Sequence, residues 1–198
     1  INNYFGGENR GVSISSDGTY IIVGAYGRAG QNGAVFFFKR TGSSTSNWTW
    51  SLMGSMQTHP LGATATLFGR AVRMSPDGLT ALVHARDDVG TAGGDGGAVF
   101  VYTRSGNTWT YKHRVLNKDR TDYDYFGSAL DISTDGSYFV AGMRQDDDLG
   151  STAGAAYIFT RDTKHHYDTD LKLQANTWHN LTYAYQGEGG SRVTYLDG

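Results

Sequence analysis

Several features are missing from the sequence, and each absence excludes a class of function. There is no cysteine, so the chain has neither a disulfide framework nor a thiolate metal site nor a cysteine nucleophile. No apolar run approaches the ~20 residues of a membrane-spanning helix. The net charge is −2 without a cluster of Lys and Arg, which leaves no electrostatic footprint for nucleic acid. We therefore expect neither nucleic-acid binding nor membrane insertion.

Proline is scarce, with 2 residues, whereas glycine is abundant, with 28 among 198 residues, and aromatics reach 13 %. Segments rich in β-forming residues alternate with glycine-containing turns, which predicts an all-β fold. The length allows one sizeable core or two small ones. The chain begins at Ile1 and stops on Leu196-Asp197-Gly198, a sequence typical of a turn, so we expect it to be part of a longer protein.

An internal repeat organises the chain. Three segments are variants of one another, namely GAVFFFKR at 33–40, GAVFVYTR at 97–104 and GAAYIFTR at 154–161. Phe-Gly pairs recur at 5–6, 68–69 and 126–127, and Asp-Gly pairs recur at 17–18, 77–78 and 135–136. Because self-similarity at a fixed period defines repeat architectures, we predict three units, at about 1–60, 61–120 and 121–163.

Each unit offers four strand-like segments, except that the fourth is not recognisable in the third unit. The second and third segments are apolar on both faces, as in residues 21–23 and 99–102. Such antiparallel sheets must be covered on both sides, which favours four-stranded propeller-like blades stacked face to face. A β-sandwich of repeated hairpins is the alternative. Three blades are fewer than the four or so that close a propeller, so the missing strands come from a longer protein, the C-terminal hairpin or a neighbouring copy.

The order Phe-Gly, apolar strand, Asp-Gly turn, second strand, Gly-Ala-Val-Phe and tryptophan resembles the FG-GAP repeat of integrin α-subunit β-propellers over residues 1–163. The resemblance implies a propeller fold, an extracellular or cell-surface location and a role in recognition or adhesion. The proline of the family's GAP element is absent, because the equivalent residues are Gly24-Ala25-Tyr26, His84-Ala85-Arg86 and Gly142-Met143-Arg144.

The pattern changes towards the C-terminus. Residues 171–198, with Asn176-Thr177-Trp178-His179 and a glycine-rich turn, are similar to one hairpin of a laminin-G-like or concanavalin-like jelly roll. We interpret this segment either as part of a truncated domain or as a hairpin that completes a blade. Residues 164–170, which are charged and without apolar periodicity, are predicted to be a linker.

Calcium is the one cofactor that the resemblance suggests. Integrin-type repeats often bind Ca²⁺ in a D-x-D-x-D-G loop, since hard cations need six to eight oxygen ligands. Only the third unit keeps two of these carboxylates, Asp131 and Asp135, and the alternative is that all three Asp-Gly pairs are simple hairpin turns. The loop before the third strand is a second candidate, either for Ca²⁺ or for solvation alone. Its acidic residues are Asp87, Asp88 and Asp95 in one unit and Asp146, Asp147 and Asp148 in the next.

Alignment of the units also predicts a contact. Ser13, Arg73 and Asp131 occupy the same place on successive first strands, and the first strand lines the axis of a propeller. We therefore predict that Arg73 and Asp131 form an ion pair between neighbouring blades.

Histidines and tryptophans have mainly structural interpretations. His165 and His166 are expected in an exposed linker rather than in a metal site, and His84 in a core or between blades. The tryptophans are either packing residues between blades or sugar-stacking platforms; these are Trp48, Trp109 and Trp178. Asn47 and Asn180 begin N-x-S/T sequons and are candidate glycosylation sites.

No nucleophile–base signature occurs, neither G-x-S-x-G nor S-x-x-K, and no phosphate-binding loop precedes a helix. We predict a non-catalytic extracellular recognition or adhesion module with a protein or glycan ligand. The alternative is a structural subunit of a fibre or surface coat, assembled from copies by β-strand complementation. A carbohydrate-binding or glycosidase-like protein is a third reading, but it would need a pair of acids where the C-terminal hairpin offers only Glu188.

Overall fold

The structure is a computed structural model that describes residues 3–7, 10–88, 96–117, 121, 123–148, 150–161, 167–174, 182–184 and 193–195. Within these ranges the chain forms three four-stranded antiparallel sheets and one two-stranded sheet. In each large sheet the strands are hydrogen-bonded in chain order, as the short turns between β-rich segments require.

The sheets follow the predicted repeat. The first contains β1 (Val12–Ile14), β2 (Tyr20–Gly24), β3 (Val35–Thr41) and β4 (Thr49–Leu52), with the one-turn helix α1 (Arg28–Gln31) between β2 and β3. The second contains β5 (Phe68–Met74), β6 (Thr80–Ala85), β7 (Ala98–Ser105) and β8 (Thr108–Val115). The third contains β9 (Phe126–Ile132), β10 (Tyr138–Met143), β11 (Ala155–Arg161) and β12 (Tyr167–Gln174).

The third sheet corrects the sequence prediction at its fourth strand. β12 pairs with β11 from Arg161 opposite Tyr167 to Ala155 opposite Gln174, so the strand that we did not recognise is present. The linker predicted at 164–170 is therefore wrong for residues 167–170. Two aspartates and a threonine occupy the first half of β12, and an edge strand tolerates such residues although they hide its apolar periodicity.

The three sheets stack face to face, and the second is covered on both sides. Every residue of β6 is buried. One face of the second sheet packs on the first sheet, mainly through Phe68, Val83, Phe100, Tyr102 and Trp109 against Ile22, Val35 and Phe37. Its other face packs on the third sheet, mainly through Leu82, Val99, Val101 and Val115 against Leu130, Phe139, Tyr157 and Phe159. This arrangement is that of propeller-like blades, and the β-sandwich alternative is wrong.

The C-terminal part contains β13 (Thr182–Ala184) and β14 (Val193–Tyr195), which pair with each other in a separate two-stranded sheet. A hairpin is therefore present where one was predicted, and its assignment to a jelly roll stays a prediction. The strand that completes the third sheet is β12, which lies before this hairpin. Among the described residues, no helix is long and apolar enough to cross a membrane.

Candidate functional site

The three Asp-Gly turns share one hydrogen-bond pattern. In the second sheet, Ser75 Oγ donates to Asp77 Oδ1. The backbone N–H of Leu79 donates to Asp77 Oδ1, and that of Thr80 donates to Ser75 Oγ. The first and third sheets repeat the pattern with Ser15 and Asp17, and with Ser133 and Asp135. These aspartates stabilise the turn between the first and second strands of each sheet, as Asp in a tight turn commonly does.

The carboxylate of Asp135, which was predicted to be a calcium ligand, accepts hydrogen bonds within this turn. Ser137 donates to it through both its hydroxyl and its backbone N–H, and Ser133 donates a third hydrogen bond. These bonds, led by that of the Ser137 side chain, lower the pKa of Asp135 to about 2. The carboxylate is thus ionised, and its Oδ1 accepts all three hydrogen bonds, while calcium at Asp135 stays a prediction.

An arginine at the end of each third strand fastens the same turns. Arg104 Nε donates to the carbonyl oxygen of Gly78 at 2.7 Å. Arg40 and Arg161 donate through a terminal guanidinium nitrogen to the aspartate carbonyl oxygens of their turns, those of Asp17 and Asp135, each at 3.1 Å. Our sequence interpretation missed this contact, although the recurrence of Arg at the end of the GAVF segment in all three units was a usable signal.

The predicted ion pair between first strands is confirmed. Arg73 Nε lies 3.0 Å from Asp131 Oδ1 and joins the second sheet to the third. At the equivalent place in the first sheet, Ser13 Oγ accepts a hydrogen bond of 3.0 Å from the backbone N–H of Met74. The first strands therefore lie side by side along one edge of the stack, and Asp131, the other predicted ligand of the third turn, is paired with arginine.

The acidic loop of the second unit is organised by a buried aspartate. Asp88 and His59 are each 2 % exposed, and His59 Nε2 lies 2.8 Å from Asp88 Oδ2. His59 Nδ1 accepts hydrogen bonds from two backbone N–H groups, so its Nε2 carries the proton and donates to Asp88. Arg114 of β8 lies 3.2 Å from the second carboxylate oxygen. This cluster joins the loop that precedes the second sheet to the loop between β6 and β7.

The third unit repeats the buried aspartate with different partners. Asp146, 1 % exposed, accepts a hydrogen bond from Tyr157 Oη at 3.2 Å and lies 2.9 Å from Lys172 Nζ. Lys172 on β12 faces Tyr157 across the strand pair, just as Arg114 on β8 faces Phe100. The fourth strand therefore supplies a cation to the buried acid in both sheets.

These contacts bear directly on the calcium prediction. Lys172 also binds Asp148, and Arg86 binds both carboxylate oxygens of its neighbour Asp87. Asp147 is exposed, and Asp95 lies outside the described residues. In the described part of the chain, no group of three or more His, Asp or Glu side chains is placed to hold a metal ion. Calcium at Asp87, Asp88, Asp146 or Asp148 would have to displace a cation of the protein itself, and it stays a prediction.

The remaining candidates are divided between packing and surface. Trp109 packs between blades, with its ring stacked on Phe37 of the first sheet at 4.4 Å. Trp48 is exposed and stacks under the guanidinium of Arg40 at 3.9 Å. Asn47 lies in an exposed loop, where its Oδ1 accepts hydrogen bonds from Ser44, and its glycosylation stays a prediction. Trp178, Asn180, His165 and His166 lie outside the described residues.

The Phe-Gly and Gly-Ala motifs form a latch between successive sheets. A Cβ on Gly97 would lie 2.5 Å from the carbonyl oxygen of Phe126, and one on Gly33 would lie 2.0 Å from that of Phe68. Gly33 and Phe68 form a parallel β-bridge, and the Phe126 N–H donates to the carbonyl oxygen of Gly96. Backbone packs on backbone here, so glycine is required where the two motifs meet. We call this contact between one unit's Gly-Ala and the next unit's Phe-Gly the latch.

Both ends of the stack carry half a latch. Phe68 and Phe126 are fully buried, whereas their equivalent Phe5 is 58 % exposed. At the other end, a Cβ on Gly154 would come no closer than 3.5 Å to another atom. Among the described residues, the Phe-Gly at 5–6 and the Gly-Ala at 154–155 therefore have no latch partner.

The outer face of the first sheet exposes several apolar side chains. It carries the positions that pack on a preceding sheet in the second and third sheets, and we call it the leading face. Val12, Ile14, Trp50 and Leu52 on this face are all more than 40 % exposed, whereas Trp109, the equivalent of Trp50, is buried. The leading face comprises Val12, Ile14, Ile21, Val23, Phe36, Phe38, Trp50 and Leu52. On the last sheet the opposite or trailing face comprises Val140, Ala156, Ile158 and Leu173.

A comparison with known families matches one segment of the chain. Residues 109–159 match the FG-GAP repeat family. The match starts at Trp109 in β8 and ends at Phe159 in β11, so it crosses from the second sheet into the third. It includes Phe126 and Gly127, which contribute to the latch. The chain therefore carries an FG-GAP repeat within propeller-like blades. No curated protein sequence matches the chain significantly.

Proposed function

We propose that this chain is a non-catalytic, extracellular recognition module of the integrin-like type, with a protein or glycan as its ligand. The observation that supports this proposal is the stack of blades carrying an FG-GAP repeat, in which the described residues of the loops before the third strands lie at one end of the sheets. Such loops on a rigid sheet scaffold are a common place for ligand contacts.

The roles of the polar residues are consistent with a non-catalytic protein. Asp17, Asp77 and Asp135 hold turns, and Asp88 and Asp146 are buried and paired with cations. A catalytic acid or base has to reach the substrate, directly or through one water. The buried pair of His59 and Asp88 instead holds two backbone loops together.

Binding to isolated matrix proteins and glycans, immobilised on an array, tests this proposal. Ser151 is exposed in the loop between β10 and β11, whereas Thr108 is exposed at the opposite end of the blades. Ser151→Lys and Thr108→Lys add the same charge, and we expect only the first to weaken binding of a ligand at the loop end. Equal loss in both variants, or no saturable binding by the wild-type chain, would contradict the proposal.

A second possible function is that of a structural subunit that assembles with other copies. It is supported by the leading and trailing faces at the two ends of the stack. The leading face with Phe5 and the trailing face with Gly154 are complementary, because the same two surfaces pack together twice within the chain. Copies could therefore stack blade on blade. Strand addition between copies, the mode expected from the sequence, would use sheet edges instead.

Light scattering of the purified chain over a range of concentrations tests this second function. Ile14→Lys puts a charge on the leading face, and Leu79→Lys puts one on another exposed apolar residue away from it. If blades of different copies stack, Ile14→Lys abolishes association and Leu79→Lys leaves it intact. A wild-type chain that stays a dispersed monomer at all concentrations rules out assembly from copies alone.

A further inference from the structure

A small polar cavity lies between the second and third sheets, at the end of the blades opposite the Asp-Gly turns. Its volume is about 200 Å³. Arg70 on β5, Arg86 just after β6 and Arg144 just after β10 line it, together with His84 and Tyr125. Three guanidinium groups in the wall of one cavity are unusual in a chain with a net charge of −2, and no function discussed above uses them.

His84, which lines the cavity, has two buried ring nitrogens. The residue is 2 % exposed, and neither ring nitrogen has a hydrogen-bond partner. Burial, together with the charges of Arg70 and Arg86, lowers the pKa of His84 to about 3, although a contact of the ring with the Phe126 backbone, which falls short of hydrogen-bond geometry, opposes the shift. The ring is therefore neutral at physiological pH, with one N–H donor and one nitrogen acceptor. Buried polar atoms are normally paired, so an unpaired imidazole in a cavity wall indicates that a partner is missing.

The positive charge of the cavity is only partly compensated. Arg86 is paired with Asp87, whereas Arg70 and Arg144 have no ion-pair partner among the described residues. The guanidinium groups of Arg86 and Arg144 both lie over the ring of Tyr125, at 5.1 and 4.9 Å from its centroid. This stacking keeps both cations beside the cavity.

We propose that this cavity is a binding site for a small oxyanion, namely a carboxylate, phosphate or sulfate group. The oxygens of such a group accept hydrogen bonds from guanidinium N–H groups and from the N–H of His84. Charge-assisted hydrogen bonds of this kind are strengthened in a partly buried site, where the effective dielectric constant is lower than in water.

The size of the cavity and the fold restrict the ligand. Cavities for drug-sized ligands have about 300–1,000 Å³, so this one holds a free small anion or the acidic end of a larger molecule. The equivalent place between the first and second sheets has Gly24 instead of His84 and Tyr26 instead of Arg86. Tyr26 is buried there and stacks on Tyr4. The oxyanion site therefore belongs to one blade interface and is not a general property of the repeat.

Calorimetric titration with sodium phosphate, sodium sulfate and sodium acetate at constant ionic strength tests the proposal. We expect saturable binding of at least one anion. Arg144→Gln should weaken it about tenfold or more, as expected for the loss of a charge-assisted hydrogen bond. Lys112→Gln on β8 removes the same charge at an exposed position outside the cavity and should leave the affinity unchanged.

Two further measurements separate site binding from general charge effects. The ring ¹⁵N resonances of His84 should shift on addition of the anion, and Arg70→Gln should weaken binding if Arg144→Gln proves to be poorly folded. The proposal is overturned if none of the three anions binds saturably, if Lys112→Gln weakens binding as much as Arg144→Gln, or if the His84 resonances do not move. Preference for acetate would identify a carboxylate site, and preference for phosphate or sulfate a tetrahedral one.

Discussion

Lys172 Nζ lies 2.9 Å from Oδ2 of the buried Asp146, so the fourth strand of the third sheet neutralises an acid on the loop between its second and third strands. Removing one partner of such a pair leaves an uncompensated buried charge. We expect Lys172→Met to lower the free energy of unfolding by about 3–5 kcal/mol. Arg114→Met should cost less, since Asp88 keeps the 2.8 Å hydrogen bond from His59, whereas Asp146 keeps only the longer bond of 3.2 Å from Tyr157. Urea denaturation measures both values, and equal losses would contradict this ranking.

The pKa of Lys172 sets the pH range over which its pair with Asp146 stabilises the fold. Burial acts to lower the pKa of Lys172, but hydrogen bonds to Asp148, Asp146 and Tyr157 outweigh it and raise this pKa. A raised lysine pKa contributes stability that is fully present below the unfolded value of about 10.4 and is lost as the pH rises through the folded pKa. The contribution of Lys172 is therefore constant through neutral pH.

Calcium competes with Lys172 if it binds at Asp146 and Asp148. We expect a Ca²⁺-dependent rise in Tm for Lys172→Met that exceeds the rise for the wild-type chain. Binding at 100-fold excess over Kd corresponds to about 2.7 kcal/mol. The control is Lys112→Met, which should behave as the wild type does. No shift in any of these proteins would make the calcium prediction wrong for this loop.

The latch predicts a difference between two glycine substitutions with similar backbone angles. Gly97 and Gly154 have φ values of +80° and +74°, so alanine is strained at both by about 1–2 kcal/mol. Only at Gly97 does a Cβ also collide with a backbone oxygen, at 2.5 Å. We expect Gly97→Ala to destabilise the chain by at least about 2 kcal/mol more than Gly154→Ala, in the range of costs for strain in a packed site. Similar midpoints in urea would show that the latch adds nothing.

The Ser-x-Asp-Gly turns predict a dependence on burial. Ser75 is fully buried, and Ser75→Ala leaves the N–H of Thr80 without its acceptor. The expected loss is about 1–3 kcal/mol, the cost of an unsatisfied buried donor. Ser133→Ala removes the equivalent bond to the exposed Tyr138, where water can replace the hydroxyl, and should cost less. Thermal unfolding of the two variants side by side provides the comparison.

The ion pair of Arg73 and Asp131 should be weak and sensitive to pH and salt. The two side chains are 37 % and 60 % exposed, and pairs of that kind contribute about 0.2–1 kcal/mol. Burial acts to raise the pKa of Asp131, but the hydrogen bond from Arg73 and other contacts lower it overall. The contribution is thus present above the unfolded value of about 3.9 and is lost as the pH falls through the lower folded pKa. A double-mutant cycle with Arg73→Gln and Asp131→Asn should give a coupling that disappears in 1 M salt, and a salt-independent coupling would contradict an exposed ion pair.

The features that the sequence predicted are those in which local pattern and alignment agree. The Asp-Gly turns are local, and the contact of Arg73 with Asp131 follows from aligned positions on successive first strands. β12 could not be predicted from periodicity, because its first half is polar. That omission also hid the pair of Lys172 and Asp146, whose counterpart is Arg114 with Asp88. The contact of His59 with Asp88 joins loops 29 residues apart, and no repeat or spacing indicates it.

The latch joins two motifs that belong to different units, because the Gly-Ala of one repeat meets the Phe-Gly of the next. Natural selection on these motifs therefore acts across the boundary between repeats. Among related sequences, a substitution in one Gly-Ala should be accompanied by change in the following Phe-Gly rather than in the Phe-Gly of its own unit. Duplication of a whole repeat would supply both halves at once, so the number of blades can change in evolution without any new complementary surface.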